Sequence, residues 1–307
     1  AQELAFTLSD GFAYVEAGVE AGLDVDDFAP RLSFFFNSHI DFFEEIAKFR
    51  AARRIWATVM KEKYGAKDER SLKMRFHTQT AGVSLTAQEP LNNAARTAFE
   101  ALAAVLGGTQ SLHTNSFDEA LALPTEQAVR IAVRTQQIAA LETGAANTID
   151  PLGGSYFVEA LTNELERQAY EYFERIDDMG GVVKAIENGF QMGEIAEASA
   201  RYQREIEEQK RYIVNVNVHE PQEESDVETH AVSQEVADTQ VKRLRELKER
   251  RDNEQVEKCL NAIKRAAEEG ENTMYPTLEA VRAYATVQEI CDAMKEVYGS
   301  YRETPAI

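Results

Sequence analysis

Across 307 residues, apolar side chains make up 44% and charged ones 28%, the balance of a globular chain that buries one large core or two smaller ones. Lys and Arg number 33 against 53 Asp and Glu, so a formal charge of −20 repels nucleic acid and anionic membranes at long range, and an anionic ligand needs a local basic site. No run approaches the ~20 apolar residues of a membrane span, and Cys259 and Cys291 lack metal-ligand spacing and fit a reducing, cytoplasmic setting.

The chain begins Ala1-Gln2-Glu3-Leu4, without Met and inside a helical pattern, so the reading expects a preceding segment that was removed or lies on another chain. Leu4, Leu8, Phe12, Val15 and Val19 form one apolar helix face that Gly22 ends. Phe28 to Phe36 reads as a buried strand containing Arg31 and Ser33. A helix follows over about 41–64 with Phe42, Ile46, Phe49, Ile55 and Val59 inward. Leu72, Met74 and Phe76 alternate with Lys73, Arg75 and His77, the period of a second strand. The next helix is expected over 88–106, stopped by Gly107-Gly108, with a short third strand over 109–114.

Strands separated by helices predict parallel βαβ units. Three are visible, whereas a closed (β/α)₈ barrel needs eight in about 250 residues. The expected fold is therefore α/β: part of a barrel with open edges, followed by a mainly helical region. Helices are predicted over about 125–141, 156–177, 181–190 and 194–209. His219 to His230 carries Glu220, Glu223, Glu224, Asp226 and Glu228 with no Lys or Arg, and reads as a solvated acidic linker. Two last helices are expected over 235–268 and 277–298.

There is no Walker A loop, no G-x-G-x-x-G, no H-E-x-x-H and no C-x-x-C, and the five histidines do not pair at ligand spacing, so no protein-built metal site is expected. What stands out is polar residues at the strands: Arg31 and Ser33; His77 to Thr80; Gln110, Ser111, His113, Thr114 and Asn115, then Asp118 and Glu119. In parallel α/β folds, binding groups gather at the carboxyl ends of strands. These residues form either a broad ligand surface or a layer of groups that satisfy one another.

Several segments stand in one consistent order: Phe28-Ala29-Pro30-Arg31-Leu32-Ser33-Phe34-Phe35, Arg50-Ala51-Ala52-Arg53, His77-Thr78-Gln79-Thr80, Ser84-Leu85-Thr86-Ala87-Gln88 and Gly108-Thr109-Gln110-Ser111-Leu112-His113-Thr114-Asn115. Asp118-Glu119-Ala120, Ala122-Leu123-Pro124-Thr125, Ile149-Asp150-Pro151 and Gly154-Ser155 follow. Together they resemble the large chain of the methylmalonyl-CoA mutase family, over almost the whole length and most tightly over 1–218. The resemblance implies a (β/α)₈ barrel around an acyl-CoA, capped by a flavodoxin-like cobalamin domain. This chain would supply the last three barrel strands and their helices in 1–123. A helical region over 124–218, the acidic linker over 219–234 and a C-terminal helical extension over 235–307 would follow.

The activity so implied is that of an isomerase. It is an adenosylcobalamin-dependent radical 1,2-rearrangement interconverting methylmalonyl-CoA and succinyl-CoA, or a close acyl-CoA pair. Phe36-Asn37-Ser38-His39 resembles forms whose large subunit carries no cobalamin domain, and nothing matches the cobalamin-ligating D-x-H-x-x-G. A separate cobalamin-binding small subunit is implied. The family's substrate-gripping Tyr, carboxylate-binding Arg and catalytic His would lie upstream of position 1, so the resemblance places no catalytic residue in this chain. A polypeptide bearing the first half of the barrel is then an expected partner, without which the chain is expected to be unstable and to expose Phe34, Phe35 and Phe36.

Residue by residue, Arg31, Leu32 and Ser33 match the segment that contacts acyl-CoA. A guanidinium suits a phosphate and a hydroxyl suits the pantetheine amides, the alternative for Arg31 being a structural ion pair. His77, Gln79 and Gln110 match polar residues facing the substrate, or else form a hydrogen-bonded barrel layer. Gly82, Glu119 and Ala122 match positions that touch adenosylcobalamin, although Gly82 and Ala122 could equally be ordinary packing. A non-catalytic scaffold derived from such a mutase is the alternative function.

Overall fold

A computed structural model describes residues 1–221 and 227–302; Glu223, Glu224 and Asp226 of the predicted acidic linker lie outside the described residues. The elements of a first compact unit, which extends from Ala1 to His230, are α1 (Gln2–Glu20), α2 (Val25–Phe28), β1 (Phe34–Ser38), α3 (Phe42–Glu62), α4 (Glu69–Leu72), β2 (Phe76–Thr80), α5 (Asn93–Leu106), β3 (Ser111–His113), α6 (Glu126–Leu141), α7 (Tyr156–Asp178), α8 (Val182–Glu187) and α9 (Phe190–Glu207). A second unit begins at Ala231 and holds α10 (Gln234–Arg250), α11 (Asn253–Glu268), α12 (Met274–Arg282) and α13 (Val287–Tyr298).

The three strands form one open parallel sheet in the order β1-β2-β3. The chain is α/β, with part of a barrel sheet and a large helical remainder, as the strand count predicted. One sheet face is apolar and covered. Phe36 and Phe76 are buried there against Phe49 and Trp56 of α3, and Leu4 and Leu8 of α1 join the same core. Stacking of Phe49 on Phe76 at 5.2 Å and edge packing of Phe34 on Trp56 at 4.9 Å lock the helix onto the sheet. The α1 face runs as expected through Leu4, Leu8, Phe12 and Val15, while Val19 at its end is exposed.

Local chemistry moved several predicted boundaries. The expected strand over 28–36 starts only at Phe34. Asp24 caps α2 by accepting from Asp26 N, and Pro30 sits in a 3₁₀ turn over Ala29–Arg31, with φ fixed and no N–H for a ladder. Arg31 and Ser33 consequently precede β1 instead of lying within it. The alternation over 72–76 is overridden in the same way, because Asp68 caps the short α4 and β2 begins at Phe76. The helix expected from 88 starts at Asn93, after a turn holding Pro90.

In the second unit, each of two expected helices is divided. Arg251 is extended and Asp252 caps α11 by accepting from Gln255 N. Thr286 and Glu289 form a reciprocal capping box that restarts the chain as α13 after Tyr284 at φ 64°. Cys259, Ile263, Ala280 and Ile290 make this unit's own small core.

Two expectations about exposure need correction. Phe36 is fully buried and Phe34 half-buried within this chain's own core, so only Phe35, 53% exposed, is laid bare. Nor is the outer edge of β1 wholly open. Asn37 N donates to Glu3 Oε1 at 2.7 Å, and Lys48 Nζ donates to Asn37 O at 2.8 Å. Lys48, 3% exposed, also pairs with Glu3 and Glu45, each at 2.5 Å. Side chains of α1 and α3 thus stand where a neighbouring strand would, which protects that part of the edge. Burial works against the Lys48 charge, but the carboxylates of Glu3 and Glu45 outweigh it and hold its pKa above the ordinary value.

A polar sheet face and its relatives

The second face of the sheet positions the candidate site. Strand alternation turns Phe35 and Asn37, His77 and Gln79, and Ser111 and His113 to the side away from α3 and α5. Register sets them in two rungs, Phe35–His77–Ser111 and Asn37–Gln79–His113. In the first rung His77 Nδ1 meets Ser111 Oγ at 2.7 Å and its ring lies 5.2 Å from that of Phe35. That leaves Nε2 for a ligand. Gln79 makes no side-chain hydrogen bond to any described residue, so its amide can both donate and accept.

At the amino ends of the strands, Arg31, Ser33, Arg75, His77, Gln110 and Ser111 line an open cavity of about 350 Å³. Arg31 is exposed and has no ion pair among the described residues. Arg75 donates to Pro30 O and so fixes the turn that presents Arg31. Sequence reasoning took Arg75 only as the outer half of an alternation. Its signal was a second Arg two residues from His77. Two guanidiniums here form a local basic site in a strongly acidic chain.

Leu32 does not join this cavity. Its apolar side chain packs against the core, the cheaper place for it, and its N–H closes the preceding turn onto Ala29 O at 3.1 Å. Gln110 lines the cavity but spends half its capacity on the backbone: Oε1 accepts from Phe76 N at 2.7 Å and Nε2 donates to Gly108 O at 2.8 Å. The expectation that these groups gather at the carboxyl ends of the strands is therefore corrected. Arg31, Ser33, His77 and Gln110 cluster at the amino ends, and Gln79 lies one rung further on.

The carboxyl end holds the other group. A Cβ placed on Gly82 would come within 2.7 Å of Glu119 Oε1, so the two predicted cofactor-facing residues are direct neighbours. Asn115 Nδ2 donates to Glu119 Oε2 at 2.6 Å, and Asn115 N donates to Thr80 Oγ1 at 2.9 Å. Asn115 is buried and aims the exposed Glu119 carboxylate. It stood in the polar run of the third strand but was not singled out. Ala122 lies half-buried in the turn after Glu119, with its N–H on Asp118 O at 3.1 Å.

Two of the resembling motifs serve the scaffold. Arg50 binds Asp150 Oδ1 at 2.9 Å and Glu159 Oε1 at 2.7 Å, tying α3 to the Asp150-Pro151 turn and α7. Arg53 donates to Gly107 O and caps the carboxyl end of α5. Among the described residues no group of three His, Cys, Asp or Glu is placed to hold a metal ion, and no helix is long and apolar enough to cross a membrane.

The sequence profile described as Methylmalonyl-CoA mutase matches residues 1–300. The chain belongs to the methylmalonyl-CoA mutase family. It is 48% identical over 308 aligned residues to the methylmalonyl-CoA mutase of Rhizobium meliloti (strain 1021), covering 100% of this chain and 43% of that protein. It is 45% identical to the 2-hydroxyisobutanoyl-CoA mutase large subunit of Aquincola tertiaricarbonis, covering 99% of this chain and 54% of that subunit. With the mitochondrial methylmalonyl-CoA mutase of Homo sapiens the identity is 46%, over 98% of this chain and 40% of that protein. The chain thus spans about half the length of the curated relatives it matches.

Proposed function

We propose that this chain is one component of an adenosylcobalamin-dependent acyl-CoA mutase, which interconverts methylmalonyl-CoA and succinyl-CoA or a closely related pair. It works with the first half of the barrel and with a cobalamin-binding domain, whether these belong to the same polypeptide or to others. The observation that carries this reading is the continuous polar sheet face, basic at one end and ending at Gly82 and Glu119 at the other. β2 alone spans about 13–17 Å at its rise per residue, which suits an elongated ligand lying along the strands.

In this arrangement Arg31, Ser33 and Arg75 bind the phosphate-bearing end of the acyl-CoA. His77 and Gln79 orient the thioester end by hydrogen bonds along the two rungs. At the far end the residues fit the coenzyme: Gly82 keeps the surface low beside Glu119, whose carboxylate accepts hydrogen bonds from hydroxyls or amides. The bound coenzyme supplies the hydrogen-abstracting radical chemistry. Closure of the barrel by the partner excludes water from it. The free thiols of Cys259 and Cys291 favour a reducing, cytoplasmic setting.

Two measurements test the reading at its two ends. In the assembled enzyme, Arg31→Ala is expected to raise KM about 10- to 150-fold, with a smaller effect on kcat, from loss of one charge-assisted hydrogen bond. An unchanged KM would remove Arg31 from the binding site. Because no cobalamin-ligating motif is present, the isolated chain is expected to bind adenosylcobalamin weakly. Equilibrium dialysis that found stoichiometric micromolar binding would contradict the need for a separate cobalamin-binding subunit.

A further inference from the structure

Behind the turn that carries Gly82 lies a buried acid that the binding scheme does not use. Glu100, on α5, is fully buried. Ser84 Oγ lies against its Oε1, while its Oε2 is buried with no hydrogen-bond partner. The same Ser84 hydroxyl stands 2.6 Å from Ala81 O. A hydroxyl has one proton, so it cannot donate to both acceptors. An ionised Glu100 would place a bare anionic oxygen, the unpartnered Oε2, in the core, which is costly. A proton on Oε1 removes that charge: the acid donates to Ser84 Oγ, and the Ser84 hydroxyl joins its own N–H in donating to Ala81 O.

We propose that Glu100 is a positioning residue whose protonated carboxyl group, through Ser84, clamps the Ala81–Ser84 turn and so holds Gly82 against Glu119. The clamp has a second anchor, because Ser38 Oγ at the end of β1 donates to Glu100 O at 2.8 Å, and Ala81 N donates to Ser38 O at 2.8 Å. One helical residue thus gathers the ends of β1 and β2 and the turn beyond.

Electrostatics point the same way. Burial pushes the Glu100 carboxyl up to about 8, opposed by the Ser84 bond and the Ala81 backbone; the charge of Glu45 on α3 adds to the rise and that of Arg96 on α5 opposes it. Because the folded value lies above the ordinary 4.5, the stabilisation from neutral Glu100 is complete below 4.5 and is lost progressively as pH rises to about 8. That the clamped turn faces a coenzyme rests on the proposed function; the protonation and the clamp do not.

The test compares the full chain with Glu100→Gln, whose amide donates to Ser84 at every pH, and needs neither coenzyme nor partner. Infrared difference spectra at neutral pH should show the carbonyl stretch of a protonated carboxyl group in the wild type that the variant lacks. Between about pH 5 and pH 9 the wild-type melting midpoint should fall by roughly 5–10 °C relative to the variant. In the wild type alone, the amides of Ser84 and Leu85, which bond Ala81 O and Gly82 O, should lose exchange protection above about pH 8 when corrected for the intrinsic rate. A neutral-pH spectrum without that band, or parallel melting curves, would overturn the proposal. So would turn amides that stay protected through the alkaline range, a result available even if the variant does not fold.

Discussion

Acyl-CoA isomerisation is expected only when the chain is combined with a polypeptide carrying the other barrel strands, a cobalamin-binding subunit and adenosylcobalamin. Without the barrel partner, the same mixture should show no turnover above background. Three parallel strands cannot close on themselves, and the polar face with its two rungs is open to water along its whole length. Radical chemistry needs a closed site, and half a barrel cannot provide one. The lone chain should also bind a hydrophobic dye and self-associate, because Phe35 is bare while the core behind it is already formed. Burial of Phe36, Phe49 and Trp56 within this chain means that it should do so as a folded species. Turnover by the lone chain would sink the divided-barrel reading. Failure of the other half to rescue turnover would favour the non-catalytic alternative.

The second large effect is expected at Lys48. Lys48→Met should destabilise the protein by about 3–5 kcal/mol, since removing one member of a buried ion pair leaves its partners uncompensated. Three groups lose their donor together: Glu3, Glu45 and the Asn37 carbonyl on the edge of β1. For a unit of this size the loss corresponds to a melting midpoint lower by roughly 6–20 °C. Adding Glu45→Gln to the variant should recover part of the loss, because a neutral amide is cheaper to bury than a carboxylate. Thermal unfolding followed by circular dichroism measures both. A loss below about 1 kcal/mol for the single variant would mean that water reaches the network and the ions are not truly buried.

Much of this protein was legible in residue order alone. Apolar helix faces located α1 and α3, an apolar run and an alternation announced β1 and β2 several residues early, and the count of strands implied an incomplete barrel, because those signals depend on neighbours in the sequence. The ordered motifs named the family, and the resemblance grouped Gly82, Glu119 and Ala122, of which the fold makes the first two direct neighbours. The Asp252 cap and the Thr286–Glu289 box each divided a helix that hydrophobicity alone joined, while Asp24 and Asp68 capped short helices that no apolar pattern announced.

Tertiary structure decided the rest, because it depends on which residues meet across long stretches of chain. Parallel register brought His77 beside Ser111 and put Gln79 level with His113, and it sorted one string of polar residues into an amino-end and a carboxyl-end group. Arg75 became part of the basic end only because its guanidinium reaches Pro30, 45 positions earlier. Leu32 left the site because a covered core lay within reach of an apolar side chain. Glu100 looks in sequence like any acid on a helix. Its neutral state comes from packing α5 against the strand ends, where water is excluded and one hydroxyl proton faces two acceptors.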